Sequence, residues 1–439
     1  MSRWFSGSLL TLVACAPPAL PDDAVQDTSV RDPTQTDTQA SDTGAPSELT
    51  SVVAVSAGGV DTVDCGEADR PCLTLAAALS RAAALESSEI RMAGGTYEGG
   101  QRIVIDVQLS GGWDPGFASN DDPVNVTALV APPDQSVGLT LAANTSLSNL
   151  QVSLSPGHLP QPGASVYGVF VDGPHTVELS AVAVTTPAAG PAGAAGMDGA
   201  AAAPATGTCS PDTGASGTAG SAGALQAGTF GPGGFIAGDG GAGADGGDGH
   251  DGQRTLAMPG SAMTFSCTFP CGGGIPVVLP AGGDGLAGCG GGGGTAGGGG
   301  AGGGSSIGVY GWEADLTLQG GIIAAGNGGD GAAGGQGGEG SSGSAGVDGA
   351  PGPLVTVEPS CCGTPTSVSA PGGVGFPGGK GAEGGSGAPG AAGSSYAVYV
   401  GDSAGLAVAG TVLQHGTAGA PGQTAEVVGD AGEAAPSNR

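Results

Sequence analysis

Three long stretches carry glycine at every third position, at 282–303, 328–352 and 372–393, and shorter stretches in the same rhythm lie at 190–199, 214–223 and 240–252. Ordering so much glycine costs backbone entropy, so the arrangement must be repaid by close approach of chains. Three residues per turn is the period of the polyproline II helix, which would leave one whole edge of each run as bare backbone. Collagen shares the period but needs imino acids in the other positions, and here triplets such as Gly328-Gly329-Asp330 and Gly337-Gly338-Glu339 hold a second glycine. A bundle of polyproline II helices folded from one chain fits better. From 328 to 351 the second position is Gly, Ala, Ser or Val, while the third includes Asp330, Gln336, Glu339 and Asp348. Two edges are therefore expected to pack and one to face water. The run 282–303, small almost throughout, is expected at the bundle centre.

Strand-like segments interrupt the glycine tracts. Ser165-Val166-Tyr167-Gly168-Val169-Phe170, Ser306-Ile307-Gly308-Val309-Tyr310 and Ser395-Tyr396-Ala397-Val398-Tyr399 are internal repeats, each followed by a second apolar segment, at 177–179, 316–318 and 406–408. Upstream, segments at 88–92, 102–109, 124–130, 137–141, 147–154, 166–171 and 176–184 alternate or run apolar between Gly, Pro, Asp or Asn. Their even spacing without Asn-Gly hairpin turns suits successive parallel rungs. Leu75, Leu79, Ala82 and Leu85 recur at helical spacing after a possible N-cap at Thr74, which predicts an amphipathic helix over the open end of such a stack.

Charge narrows the partners. A net charge of -30 with 9 Lys+Arg offers little to neutralise phosphate, so nucleic acid is excluded as a partner, and so is attachment to anionic lipid through a basic face. With no CxxC pair, four scattered His and no cofactor motif, neither metal nor cofactor is expected. The segment Gly240-Gly241-Ala242-Gly243-Ala244-Asp245-Gly246-Gly247-Asp248 approaches a calcium-binding repeat but lacks its large apolar residue at Gly247. Asp245, Asp248 and Asp251 would stand about 9 Å apart along a polyproline II edge, too far to share an ion.

If each glycine run leaves the rungs and the next returns, the far turns fall near 200–213, 253–281 and 353–371. Those turns hold Cys209, Cys267, Cys271, Cys361 and Cys362, with Cys289 close by. Disulfides there would compensate for a weak apolar core, but six cysteines allow 15 pairings. The same turns carry Leu256, Met258, Phe265, Phe269, Ile275 and Leu354. They read either as a small core under the disulfides or as a recognition tip, for which Phe265, Phe269, Ile275 and Leu354 are the candidates.

At the N-terminus one positive residue, Arg3, precedes a short apolar run from Trp4 to Val13, too short to span a bilayer. It ends in Leu12-Val13-Ala14-Cys15, which resembles the lipobox of bacterial lipoproteins, with residues 1–14 as signal peptide and Cys15 as the lipidated residue. By that resemblance the chain is exported and lipid-anchored, and Ala16 after the anchor favours the outer membrane or cell surface. Residues 15–50, rich in Asp, Thr, Pro and Ser, are expected as a disordered acidic linker. For an exported chain disulfides are the default fate of the remaining cysteines.

The segments Pro71-Cys72-Leu73-Thr74-Leu75-Ala76-Ala77-Ala78-Leu79, Ile90-Arg91-Met92-Ala93-Gly94-Gly95-Thr96-Tyr97 and Leu109-Ser110-Gly111-Gly112-Trp113 resemble the capping helix and first rungs of right-handed parallel β-helix proteins of the pectate-lyase-like superfamily. Cys65 and Cys72 would then staple the loop before the helix. The glycine-rich bundles of certain phage tip adhesins and antifreeze proteins are similar in architecture only.

Many β-helix proteins cleave polysaccharides, which requires carboxylates clustered across rungs or a calcium site beside a base. Asp106, Asp172 and Glu178 are isolated, and no catalytic residue is assigned.

The expected fold is thus all-β: a right-handed parallel β-helix at 51–187, with rungs at 305–325 and 395–415. Glycine-rich insertions at 188–304 and 326–394 separate these, and 416–439 forms a flexible tail. The expected function is a structural or adhesive surface protein, with a surface polysaccharide or another surface protein as partner. The alternative is a carbohydrate-binding or carbohydrate-cleaving β-helix.

Overall fold

The computed structural model describes residues 52–120, 122–260, 262–267, 273–357, 365–401 and 403–439. Three parallel sheets of seven, six and six strands form the apolar part of the molecule. From Glu89–Ala93 onward the chain visits the first sheet, then the second, then the third, and repeats that order to the last strand, Ala434–Ser437. Strands from successive circuits pair in parallel register. Each inward position therefore stacks on its equivalent one circuit later. In the first sheet Ile90, Leu109, Leu147, Leu179 and Leu318 form such a ladder; in the second, Leu129, Val152, Val184 and Ile323; in the third, Leu139, Val169, Val309 and Val398. All belong to one buried cluster. Each fully buried aliphatic chain contributes about 1.5–3 kcal/mol, which makes these ladders the main stabilising element of the sheets.

The bend between first and second sheets repeats too. It uses a left-handed residue in successive circuits: Asn149 at φ 53°, Ala181 at φ 53°, Gly320 at φ 65° and Gly410 at φ 70°. Only Ala181 occupies this conformation without the usual relief of glycine or asparagine.

The predicted helix spans Leu75–Leu85. Thr74 caps it by accepting from the Ala77 amide at 3.2 Å, and Asp61 accepts from the Leu73 and Thr74 amides and from the Thr74 hydroxyl. Burial pushes the Asp61 carboxyl up, but the bonds from Thr74 and Leu73 outweigh it and hold the carboxyl below its ordinary value. Leu75, Ala78 and Ala82 join the core beside Val53 and Val55.

The repeats read from the sequence lie side by side. Ser306–Gly311 sits between Val166–Val171 and Ser395–Val400 in the third sheet, with Ser306 opposite both Val166 and Ser395. The two insertions leave the sheets at one corner, between a second-sheet and a third-sheet strand. A third insertion at the same corner corrects the reading of 416–439 as a flexible tail. Ala434–Ser437 pairs with Ser395–Val400 because that edge would otherwise stay open, and the triplets at 416–422 join the glycine runs.

Glycine runs bond to one another with a three-residue repeat. Amides of Gly240, Gly243, Gly246, Gly249 and Gly252 donate to carbonyls of Gly300, Gly297, Gly294, Gly291 and Gly288, so those runs are antiparallel. Gly291, Gly294, Gly297, Gly300 and Gly303 donate to Gly379, Ala382, Gly385, Ala388 and Ala391, so 282–303 and 372–393 are parallel. The remaining pairings agree with runs alternating outward and back. The run 282–303 meets 190–199, 240–252, 328–352 and 372–393, while 372–393 meets 214–223, 240–252, 282–303, 328–352 and 416–422. The centre of the array is therefore shared between two runs.

Third-position Asp330, Gln336, Glu339 and Asp348 are exposed, as expected, while second-position Gly329, Ala332, Gly335 and Gly338 are buried. The acids also bond across runs. Asp239, Asp245, Asp248 and Asp251 each accept the amide of a third-position residue in the facing run: Gly302, Ala296, Gly293 and Gly290, at 2.7–2.8 Å. Asp198 does the same for Gln336, and Asp330, Asp348 and Asn327 accept the amides of Ala420, Gly375 and Thr417 at other positions of facing runs. A backbone amide that no neighbouring run can reach is met by a carboxylate or amide oxygen instead, as a buried or half-buried donor requires.

Candidate functional site

The far turns of the glycine runs come together. Thr208–Cys209 pairs with Ala287–Gly288, and a disulfide joins Cys209 to Cys289 across a sequence separation of 80. Ser344 braces this junction, accepting from the Cys289 amide and donating to the Gly207 carbonyl, both at 2.7 Å. His250 and Asp212 pair beside it at 2.9 Å, and the His250 bond holds the Asp212 carboxyl below its ordinary value. Beyond the disulfide, two antiparallel hairpins close the end, Ala262–Cys267 with Gly273–Val278 and Val355–Val357 with Thr366–Val368. Val277, Leu279, Val357 and Ala370 form a small buried core there.

The surface around that core carries large exposed apolar side chains. Leu354 is 71% exposed, Val278 69%, Leu256 68% and Met258 61%. Leu286, Val347, Val374 and Phe376 stand exposed slightly nearer the sheets, with Leu286 and Val347 paired across adjacent runs. Of the tip candidates, Leu354 lies in this surface. Phe265 and Ile275 occupy opposite positions of the first hairpin, but their side chains, like Phe269 altogether, lie outside the described residues. Cys65 and Cys72 form the second disulfide, ahead of the helix. Cys15, Cys271, Cys361, Cys362 and the side chain of Cys267 lie outside the described residues. Asp251 approaches Cys209 and Cys289 closely enough to suggest three metal ligands. The two sulfurs are bonded to each other and Asp251 accepts from Gly290, so the donor set is already satisfied.

A second built feature lies at the base of the array. Residues Phe170, Tyr310 and Tyr399, in register on adjacent third-sheet strands, stack with centroids 5.2 and 5.5 Å apart and planes within 14°. Alternation along the strand places them on the face opposite Val169, Val309 and Val398. The hairpin Thr229–Gly231 with Gly234–Ile236 folds onto this stack. Phe230 lies on Tyr399 at 3.9 Å, the Phe235 amide donates to the Tyr167 hydroxyl at 2.7 Å, and the Tyr310 hydroxyl donates to the Gly231 carbonyl. Burial pushes the Tyr310 and Tyr396 hydroxyls well up, helped at Tyr396 by its bond to the Glu433 carboxylate. The sequence reading passed over Phe230 and Phe235, although Phe230-Gly231-Pro232-Gly233-Gly234-Phe235 places two aromatic residues about a turn. Beside this clamp Phe230, Tyr396, Tyr399, Asp430, Glu433 and Asn438 line a pocket of about 300 Å³.

The carboxylates weighed for catalysis have structural partners. Asp106 accepts from Asn144, Asp172 pairs with Arg102, and Glu178 accepts from Gln319. Among the described residues no helix is long and apolar enough to cross a membrane. No protein-family model, curated protein or solved structure matches the chain.

Proposed function

We propose that the chain is a lipid-anchored, exported surface protein with a structural or adhesive role. In this reading Cys15 carries the anchor, and the three sheets form a right-handed parallel β-helix. The strand order around three sheets supports the coil, and the strong preference of parallel crossovers supports its hand. The glycine runs are polyproline II helices, a reading supported by the three-residue rhythm of their hydrogen bonds. The observation that carries the functional reading is the gathering of exposed Leu256, Met258, Val278 and Leu354 at the turns of an array otherwise made of small residues. Contiguous exposed apolar surface marks contact with another surface.

Cells displaying the native chain and cells displaying the combined variant Leu256→Ser, Met258→Ser, Leu354→Ser separate the possibilities. Weaker attachment of the variant to polysaccharide-coated or protein-coated surfaces, at equal display, supports the adhesive role; equal attachment rejects it. The pocket beside Tyr399 favours a second reading, sugar binding, because aromatic faces and carboxylates together suit a pyranose ring. Unchanged tyrosine fluorescence on titration with a panel of oligosaccharides would reject that reading.

A further inference from the structure

The third insertion is much shorter than the run on which it lies. In its two triplets the amides of Gly419 and Gly422 donate to the carbonyls of Gly393 and Gly390, while its Thr417 and Ala420 carbonyls accept from the amides of Gly328 and Gly331. The segment thus lies in a channel between 328–352 and 372–393, parallel to the first and antiparallel to the second. Asn327 and Asp330 complete it by accepting from the Thr417 and Ala420 amides. At Gln423 the segment turns back, pairing Gln423 with Val428.

The channel continues without it. In the same column as Gly328 and Gly331 stand Gly334, Gly337, Gly340 and Gly343, whose amides find no acceptor among the described residues. In the same column as Gly393 and Gly390 stand Gly387, Gly384, Gly381 and Gly378, whose carbonyls find no donor there. The two rows face each other, since a Cβ on Gly334, Gly337, Gly340 or Gly343 would fall 1.8–2.3 Å from the carbonyl oxygens of Gly387, Gly384, Gly381 and Gly378. Gln336 and Glu339 continue the column of Asn327 and Asp330. A groove of about 440 Å³ opens on this line at Gly337 and Gly384, bounded also by Gln336, Glu383, Ala222 and Glu426.

We propose that this groove receives one extended strand of a partner protein carrying glycine at every third residue, running parallel to 328–352. The donor and acceptor rows continue, triplet for triplet, the bonding that 416–422 already displays. Glycine is required because the channel admits backbone, not side chains, on its inner edge. The ten residues from Gly334 to Gly343 correspond to about 30 Å of polyproline II strand, or roughly three to four triplets. This chain does not supply the strand from its own undescribed segments, since 1–51 hold glycine only at 7 and 44, 268–272 only at 272 and 358–364 only at 363. The inference rests on the polyproline II reading of the runs, which circular dichroism of the chain alone tests separately.

The test uses the full chain and a synthetic peptide of about four Gly-Ala-Pro triplets, the triplet present at 419–421, with a peptide of the same composition in scrambled order as control. Hydrogen exchange read at single residues should show the amides of Gly334, Gly337, Gly340 and Gly343 slowed about tenfold by the periodic peptide and unchanged by the scrambled one. The variant Gln336→Trp, at an exposed position, should abolish this protection while leaving exchange at Gly294 and Gly297 as in the native chain. Equal effects of the two peptides, or none from either, would overturn the proposal. Protection of the same amides in the chain alone, rising with its concentration, would also overturn it by showing that a second copy is the occupant.

Discussion

The sheets and the glycine array are built by the same chain on opposite principles. In the sheets the backbone bonds are those of any parallel ladder, and side chains such as Leu109, Leu147, Leu179 and Leu318 supply the stability by filling the interior. In the array the side chains have been removed from the contact, and backbone groups of adjacent runs bond directly, each bond contributing about 1 kcal/mol net. The first region tolerates changes of backbone composition but not of core volume. The second tolerates almost no added atom at its inner glycines, yet has little apolar core to lose. Two devices offset that weakness: the disulfide near its far end and the aromatic clamp at its base.

The largest expected effect separates the regions most clearly. Replacing Cys209 and Cys289 by Ser opens a link of sequence separation 80 and should cost about 4 kcal/mol by loop-closure entropy. Limited proteolysis should then cut the array while the sheets survive; loss of both together would show that they unfold as one unit. Next come Leu179→Ala and Gly387→Ala, each expected to cost about 3 kcal/mol for contrary reasons. The first leaves a cavity in the ladder; the second puts a Cβ 1.8 Å from the Gly298 carbonyl oxygen. Denaturant titration should find Gly387→Ala harmless only if the runs are loosely packed.

Smaller effects test the acid ladder and the bend. Asp248→Ala should cost about 1 kcal/mol by leaving the Gly293 amide without its acceptor, whereas Asp248→Asn, which keeps an oxygen there, should cost much less. Equal losses would mean that the charge matters and the bond does not. At the bend, Ala181→Gly relieves a left-handed alanine and should stabilise the sheets by about 1 kcal/mol, read as a higher thermal midpoint with the array unaffected.

Much of the plan was legible because it rests on local requirements. That the Ser165, Ser306 and Ser395 segments form successive rungs could be read from their likeness, and the helix from the spacing of Leu75 and Ala82 after Thr74. The outward and backward order of the runs followed from simple counting. Other parts were hidden. The bonds that Asp330 and Asp348 make were not legible, because the amides they meet, of Ala420 and Gly375, lie in other runs. The segment 416–439 looked flexible because two glycine triplets are too few to announce a run, and its strand gains meaning only from the edge of Ser395–Val400. Phe230 and Phe235 sat unnoticed in a glycine-rich stretch, although the aromatic stack that holds them was itself spelled out in the repeats.

What the sequence determined by itself is therefore periodicity: where side chains alternate, where they vanish every third residue, and where the chain turns. Those are short-range properties of backbone sterics and apolar patterning. Which run lies against which, that Cys209 meets Cys289, that carboxylates complete the bonding of facing amides, and that one channel is left unfilled were decided only by the tertiary structure. The reason is that a glycine run presents nearly the same backbone edge in every triplet. Its partner is chosen by where the sheets release and recover the chain.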